Sequence, residues 1–246
     1  MQLDFLGSTA PRVLIQPSLF DESGKATKSQ YAPDFTKANA FFQNLNPQEI
    51  ADYTSYWAGL VPSNDVEKFQ RFLFSFMSVH STWESNVNGY LAIRNWPEWF
   101  NAPDKLKTLL MGCGVGLYNQ RLGFLETFSK GYWTGLKKFN KLSTESWVDY
   151  RNRLESEIEG LGTAKTSFAL EMLHPIDCQV VCMDTHLFQL YGLEQKRDKR
   201  HYQSIENHWV TMSKMWNVAP FVARCLWWDK NQNKTDSRYW SHALEN

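Results

Sequence analysis

The stretch that decides the fold is ESEIEGLGTAKTSFALEMLHPIDCQVVCMDTHLFQLYG, residues 155–192. Gly160-Leu161-Gly162 separates two segments with helical spacing of apolar residues, and Asp184-Thr185-His186 opens a further helix about twenty residues later. Two glycines allow the backbone to turn tightly and to come close to a partner. The stretch therefore predicts a helix-hairpin-helix, followed by a carboxylate at the start of another helix.

The hairpin predicts a binding site for a phosphate group. The first amides of an α-helix have no partner inside the helix, and they lie at the positive end of the helix dipole. Amides in this position suit an anion. The carboxylate of Asp184 then lies downstream of a phosphate anchor.

The two signals together resemble the helix-hairpin-helix (HhH-GPD) DNA glycosylase superfamily, the group of the endonuclease-III-like enzymes. The family pattern is roughly L-P-G-V-G-x-K-T-A and later V-D-T-H, and this chain has I-E-G-L-G-T-A-K-T and C-M-D-T-H. The resemblance covers about residues 65–192. It implies an all-α fold of two helical layers, with a cleft between them for a base that is flipped out of duplex DNA.

Helical periodicity predicts how the chain is divided. Residues 1–34 carry no readable motif and are expected to form an N-terminal arm, and residues 35–246 are expected to form the helical domain. Within this domain, residues 63–183 would form the subdomain that carries the hairpin. Residues 35–60 plus 184–246 would form the second helical subdomain.

The resemblance implies a role for each part of the stretch. Asp184 would be the catalytic residue, which stabilises positive charge on the sugar as the glycosidic bond breaks or activates the nucleophile. The alternative is that Asp184 only caps its helix. The expected contacts to the DNA backbone are Leu161, Gly162, Ala164 and Lys165, and these contacts would not depend on base sequence.

Further candidates for the base pocket or the wedge come from the first half of the chain. His80 stands where the family has a glutamine that fills the gap left by the base, although it can also be a histidine satisfied at a helix end. Trp83 would stack on a base or pack in the core. Gly116-Leu117-Tyr118-Asn119 matches a family segment that opens a helix. The candidates are His80, Trp83, Tyr118, Asn119 and Arg121, the last as a contact to the DNA backbone or as a surface arginine.

One departure from the family pattern concerns the reaction. Bifunctional members carry a lysine that forms a Schiff base, and an alignment without gaps puts Ala164 at that position. Lys165 comes one residue later, about 100° further around the helix, and is expected to point elsewhere. The sequence therefore predicts a monofunctional glycosylase, which releases a base by water attack and leaves an abasic site.

Two other functions stay open. The chain also resembles a bacteriophage clade of the same fold, the alpha-glutamyl/putrescinyl-thymine pyrophosphorylases, which are thought to attach amines or amino acids to activated thymines. A non-catalytic DNA-binding module is the second alternative, because a hairpin alone binds the DNA backbone without catalysing a reaction. A requirement for an amine co-substrate would distinguish the phage-type activity from base excision.

The composition leads to expectations about DNA binding, cofactors and cellular location. The chain has 246 residues with zero net charge, so a DNA-binding surface has to be local. Its 4 cysteines are scattered and form neither an iron–sulfur nor a zinc pattern, so no cofactor and no metal is expected. No apolar run reaches membrane-spanning length and no signal peptide is evident. We expect a cytoplasmic monomer that acts on double-stranded DNA.

Overall fold

The computed structural model describes residues 32–79, 82–231 and 242–244. All regular secondary structure in these ranges is helical, which confirms the all-α prediction. The described part of Pro33–Asn246 forms one compact unit. Most of the expected N-terminal arm lies outside the described residues, and the division of the helical domain into two subdomains stays a prediction.

The helices of the described residues are numbered in chain order. They are α1 (Thr36–Gln43), α2 (Pro47–Gly59), α3 (Asp65–Met77), α4 (Trp83–Ile93), α5 (Pro103–Gly112), α6 (Tyr118–Thr134), α7 (Trp147–Glu157), α8 (Thr163–Leu173), α9 (Thr185–Leu190), α10 (Tyr202–Met215) and α11 (Pro220–Asn231).

Side-chain caps fix the starts of α2 and α7. Asn46 accepts a hydrogen bond from the amide of Gln48 at the start of α2, and Ser146 accepts one from the amide of Asp149 in α7. These bonds satisfy amides that the helix itself leaves without partners. Helix α8 begins directly after Gly162 and α9 directly after Asp184, which confirms the helix starts that the sequence predicts there.

Helix α3 lies in the centre of the aromatic core. Its predicted apolar face, which includes Phe69, Phe72 and Phe76, is buried, and α3 packs against α8 and α4. The rings of Phe69 and Phe128 stack with their centroids 5.5 Å apart. Most of the described aromatic side chains fill this helical core, as the composition suggests.

The chain between α8 and α9 positions the functional residues. After α8 ends, an irregular segment, residues 178–183, runs through the core with nearly all of its side chains buried. No strand pairs with it among the described residues. The segment ends at Asp184, which begins α9.

Candidate functional site

The hairpin between α7 and α8 depends on Gly160. This glycine has φ +94°, which L-residues rarely adopt. A Cβ at this position would lie 2.5 Å from Cδ2 of Phe124 on α6. Gly160 therefore allows both the turn and the close packing of the hairpin on α6.

The amide of Leu161 is not available to DNA, so the expected contact there is wrong. Leu161 is buried, and its amide donates to the carbonyl of Ile158 at 3.4 Å. The turn directs this residue into the core, and the sequence pattern carries no signal for that orientation.

Open amides follow directly after Leu161. The amides of Gly162, Thr163 and Ala164 donate to no acceptor among the described residues, whereas the amide of Lys165 donates to the carbonyl of Gly162 at 2.9 Å. Gly162 is exposed, and a Cβ added there would meet nothing within 4 Å. Thr163 was not among the residues expected to contact DNA, although the general rule for first-turn amides includes it.

Asp184 is the N-cap of α9, and its carboxylate is held in one orientation. Its Oδ1 accepts hydrogen bonds from the amides of His186 and Leu187, both at 3.0 Å. Its Oδ2 accepts none from the described residues, and the side chain is half-buried. Asp184 therefore caps the helix with one oxygen and leaves the other for a ligand.

Three half-buried rings and one buried ring form an aromatic cluster that includes His186, two residues after Asp184. His186 lies edge-to-face against Trp228 of α11, with centroids 5.0 Å apart, and Trp228 contacts Trp83 of α4 in the same way at 5.5 Å. Trp83 also contacts Phe168 of α8 at 6.1 Å. This aromatic cluster of Trp83, Phe168, His186 and Trp228 includes Trp83, one of the candidates from the sequence.

Lys165 lies closer to this region than its helical position suggested. Its Nζ is 5.7 Å from the ring centroid of Phe168, a member of the aromatic cluster. Its charge also acts to lower the pKa of Cys182, the thiol two residues before Asp184, although burial raises that pKa to about 12. Lys165 therefore lies beside the aromatic cluster, and the expectation that it does not occupy the position of the Schiff-base lysine stays a prediction.

Arg121 is neither a surface residue nor a DNA contact. Its side chain is 3% exposed, and its guanidinium donates to the carbonyls of Gly116, Phe76 and Val79. Burial lowers its pKa from the ordinary arginine value. Arg121 instead joins the C-terminal end of α3 to the loop before α6.

The start of α6 presents an exposed apolar residue that the sequence analysis did not choose. Leu117 is 51% exposed and has φ 60°, so its backbone is strained. Tyr118 is half-buried and Asn119 is exposed on the first turn that follows. Positive φ at a leucine cannot be foreseen from composition. His80, the wedge candidate, lies outside the described residues.

Buried ion pairs surround the segment that leads to Asp184. Arg224 of α11 pairs with Glu171 of α8 at 2.8 Å, and Arg151 of α7 pairs with Glu206 of α10 at 2.6 Å. Burial raises the pKa of Glu171 to about 7, and Arg224 opposes that shift. Burial acts to lower the pKa of Arg224, but the acidic groups around it, Glu171 foremost, together outweigh burial, so the pKa is raised and the guanidinium stays charged.

Two other kinds of site are not found in the described part of the chain. No group of His, Cys, Asp and Glu side chains there is arranged to hold a metal ion. None of the helices described is both long and apolar enough to cross a membrane.

Comparison with solved structures identifies the fold. The 8-oxoguanine DNA glycosylase of Methanocaldococcus jannaschii has a TM-score of 0.64 and 16% identity, covering 82% of this chain and 95% of its own. The 8-oxoguanine DNA glycosylase of Thermotoga maritima has a TM-score of 0.64 and 14% identity, covering 82% and 100%. The M. jannaschii 8-oxoguanine glycosylase/lyase in complex with a 15mer DNA containing 8-oxoguanine has a TM-score of 0.60 and 15% identity, covering 81% and 97%.

No protein-family model and no curated protein sequence matches the chain. The chain therefore has the fold of the helix-hairpin-helix DNA glycosylases. At this low sequence identity, structural similarity shows the fold and not the reaction. The reaction therefore has to be inferred from the residues of this chain.

Proposed function

We propose that this protein is a DNA glycosylase that removes a damaged or modified base from double-stranded DNA by hydrolysis, as in base excision repair. The observation that carries the proposal is the geometry of Asp184. One carboxylate oxygen is fixed by two amides, and the other is free beside an aromatic cluster. The open amides of residues 162–164 lie upstream as an anchor for the DNA backbone.

The reaction breaks the bond between the base nitrogen and C1′ of the sugar. The bonding electrons leave with the base, and positive charge develops on the sugar. The carboxylate of Asp184 stabilises this charge, and such stabilisation is strong in a partly desolvated site. Water adds to C1′, its proton goes to the departing base or to Asp184, and an abasic site remains.

The hairpin and the start of α6 fit one DNA-contacting face. Leu117 precedes the first residue of α6, and Phe124, on which the hairpin packs, lies about two turns, or roughly 10 Å, further along the same helix. Exposed apolar side chains of this kind insert between base steps in proteins that distort DNA. Leu117 therefore joins His80 as a wedge candidate, with Tyr118 and Asn119 beside it.

The aromatic cluster is the proposed pocket for the flipped base. Trp83, His186 and Trp228 are half-buried, so parts of their rings remain open to a ligand. Stacking on such rings holds a flipped base in other enzymes that act on bases. The cluster gives a pocket without selecting one base.

We propose that the enzyme does not cleave the DNA strand. The position of Lys165 favours a second candidate function, that of a glycosylase/lyase. Lys165 borders the aromatic cluster, so its amine is a candidate to attack C1′ and form an imine, as in a glycosylase/lyase. Reduction with borohydride during turnover separates the two. A covalent protein–DNA adduct that disappears in Lys165→Met establishes the lyase, and its absence alongside base release establishes the monofunctional enzyme.

The test of the function is mass spectrometry after incubation with duplexes that carry different bases. The set includes uracil, 5-hydroxymethyluracil, 8-oxoguanine, alkylated purines, mismatches and modified thymines, each with and without added amines. A free base and an abasic site from the wild type, but not from Asp184→Asn, support the proposal. A mass gain on the DNA that needs an amine supports the phage-type transfer instead, and binding without any product supports a non-catalytic module.

We further expect a monomer in the compartment that holds the DNA. Size-exclusion chromatography with light scattering, run with and without a duplex, measures the number of chains per DNA.

A further inference from the structure

The segment that leads to Asp184 is held in an unusual way. Buried backbone amides need hydrogen-bond partners, but residues 178–183 belong to no helix and pair with no strand among the described residues. The amide of Val181 donates to Oε1 of Glu206 at 2.8 Å, and the amide of Cys182 donates to Oε1 of Glu171 at 3.2 Å. Consecutive buried amides are therefore satisfied by carboxylates from two different helices.

The hydroxyl of Tyr202 completes these contacts. It accepts a hydrogen bond from the amide of Met183 at 3.2 Å and donates one to the carbonyl of Val181 at 2.7 Å. Gln195 donates to the carbonyl of Met183 at 3.0 Å. The backbone directly before Asp184 is thus held by hydrogen bonds to both its amides and its carbonyls.

The acceptors are themselves held rigidly. Glu206 is 1% exposed and both of its oxygens accept from Arg151, at 2.6 and 2.7 Å. Glu171 is fully buried and accepts from Nε of Arg224 at 2.9 Å. Buried ion pairs contribute little net stability compared with apolar side chains of the same size, so stability alone gives a weak reason for two of them here.

We propose that Glu171, Tyr202 and Glu206 form a clamp on residues 181–183 that positions the carboxylate of Asp184, with Arg151 and Arg224 holding the two glutamates in place. This inference rests on the proposed function, because it assigns positioning residues to the site of Asp184. A catalytic carboxylate has to stay within a fraction of an ångström of its productive position. A short helix such as α9 does not provide that rigidity without support from the segment before it.

The test uses the pair Arg151–Glu206, because Arg224 also interacts electrostatically with Asp184. Arg151→Met/Glu206→Gln removes the ion pair but keeps an oxygen that accepts from the amide of Val181. Arg151→Met/Glu206→Met removes that oxygen as well. The control is Glu145→Met/Arg153→Met, which removes an ion pair that also involves α7.

The first readout is hydrogen exchange at the amides of Val181 and Met183, which needs no substrate. We expect exchange to accelerate in the Met/Met variant and to stay close to wild type in the Met/Gln variant and the control. The second readout is the single-turnover rate of base release at saturating enzyme. We expect a loss of at least about tenfold in the Met/Met variant, with DNA affinity unchanged and the rate restored in the Met/Gln variant, because a misplacement of 1 Å can slow a reaction by about 100-fold.

The outcomes separate the clamp from the proposed function. Unchanged exchange in the Met/Met variant overturns the clamp, whatever the activity. Accelerated exchange with an unchanged single-turnover rate overturns the positioning role. If the wild type releases no base, the proposed function fails, and exchange at the amides of His186 and Leu187, which bind Asp184, decides whether the clamp fixes the carboxylate.

Discussion

The two glycines of the hairpin are expected to respond in opposite ways to substitution. Gly160 has φ +94°, and a Cβ there would lie 2.5 Å from Cδ2 and 3.0 Å from Cβ of Phe124. Phe124 cannot yield by moving only its far end, because Cγ and Cβ are also in the way. Backbone strain of about 1–3 kcal/mol and overpacking of about 1–3 kcal/mol add to a destabilisation of roughly 2–6 kcal/mol for Gly160→Ala.

Gly162 has ordinary extended backbone and open space at its Cβ position. Gly162→Val is therefore expected to change the free energy of unfolding by less than about 1 kcal/mol, the usual effect of a poorer N-cap residue. Its side chain would project beside the open amides of residues 162–164, where the DNA backbone is proposed to bind. We expect the affinity to fall by at least about tenfold, which is about 1.4 kcal/mol, for all duplex sequences alike.

Urea unfolding and fluorescence anisotropy with short duplexes measure the two effects. At roughly 2–4 °C per kcal/mol for a chain of this size, Gly160→Ala should also lower the melting temperature by at least about 4 °C. A Gly162→Val variant that binds DNA like the wild type would refute the hairpin as the anchor. A Gly160→Ala variant as stable as the wild type would refute the packing of the hairpin on Phe124.

The other predictions concern single side chains. Asp184→Asn should keep the cap of α9 and the stability of the fold, whereas Asp184→Ala should lose about 1 kcal/mol in urea unfolding; equal stability of the two would contradict the capping geometry. Arg121→Met should lose about 3 kcal/mol because buried carbonyls lose a charged donor, while Arg94→Met, at an exposed position, should stay within about 0.5 kcal/mol; similar values for both would argue against the role of Arg121. Borohydride should trap no wild-type protein on a substrate duplex, and a trapped complex that disappears in Lys165→Met would assign the lyase chemistry to Lys165.

Local sequence signals predicted the features that depend on neighbouring residues. Asn46 and Ser146 are residue types that favour helix N-caps, and each caps the helix that follows it. Gly160 makes the turn that the glycines of the hairpin predict. Capping and turn chemistry act over a few residues, so one sequence is enough to read them. The starts of α8 and α9 followed from the same kind of signal.

Features that depend on distant contacts could not be read in this way. Arg121 reaches carbonyls of Phe76 and Val79, more than forty residues earlier in the chain. A sequence pattern shows the charge of an arginine but not the carbonyls that the fold brings to it. The pairing of Glu171 with Arg224 spans 53 residues. Whether a charged residue is a surface contact or a buried support is therefore a property of the tertiary structure.

Helix α8 connects the two parts of the proposed site. Its first turn presents the open amides of Thr163 and Ala164, and Glu171 in its last turn accepts from the amide of Cys182, two residues before Asp184. A helix of this length is stiff, so the distance between the phosphate anchor and the backbone of the catalytic segment is set by the helix itself. Under the proposed function, binding of the DNA backbone at one end would then fix where a flipped nucleotide meets the carboxylate. In this arrangement, an anchor that binds the DNA backbone independently of base sequence would support a reaction that requires accurate placement of the nucleotide.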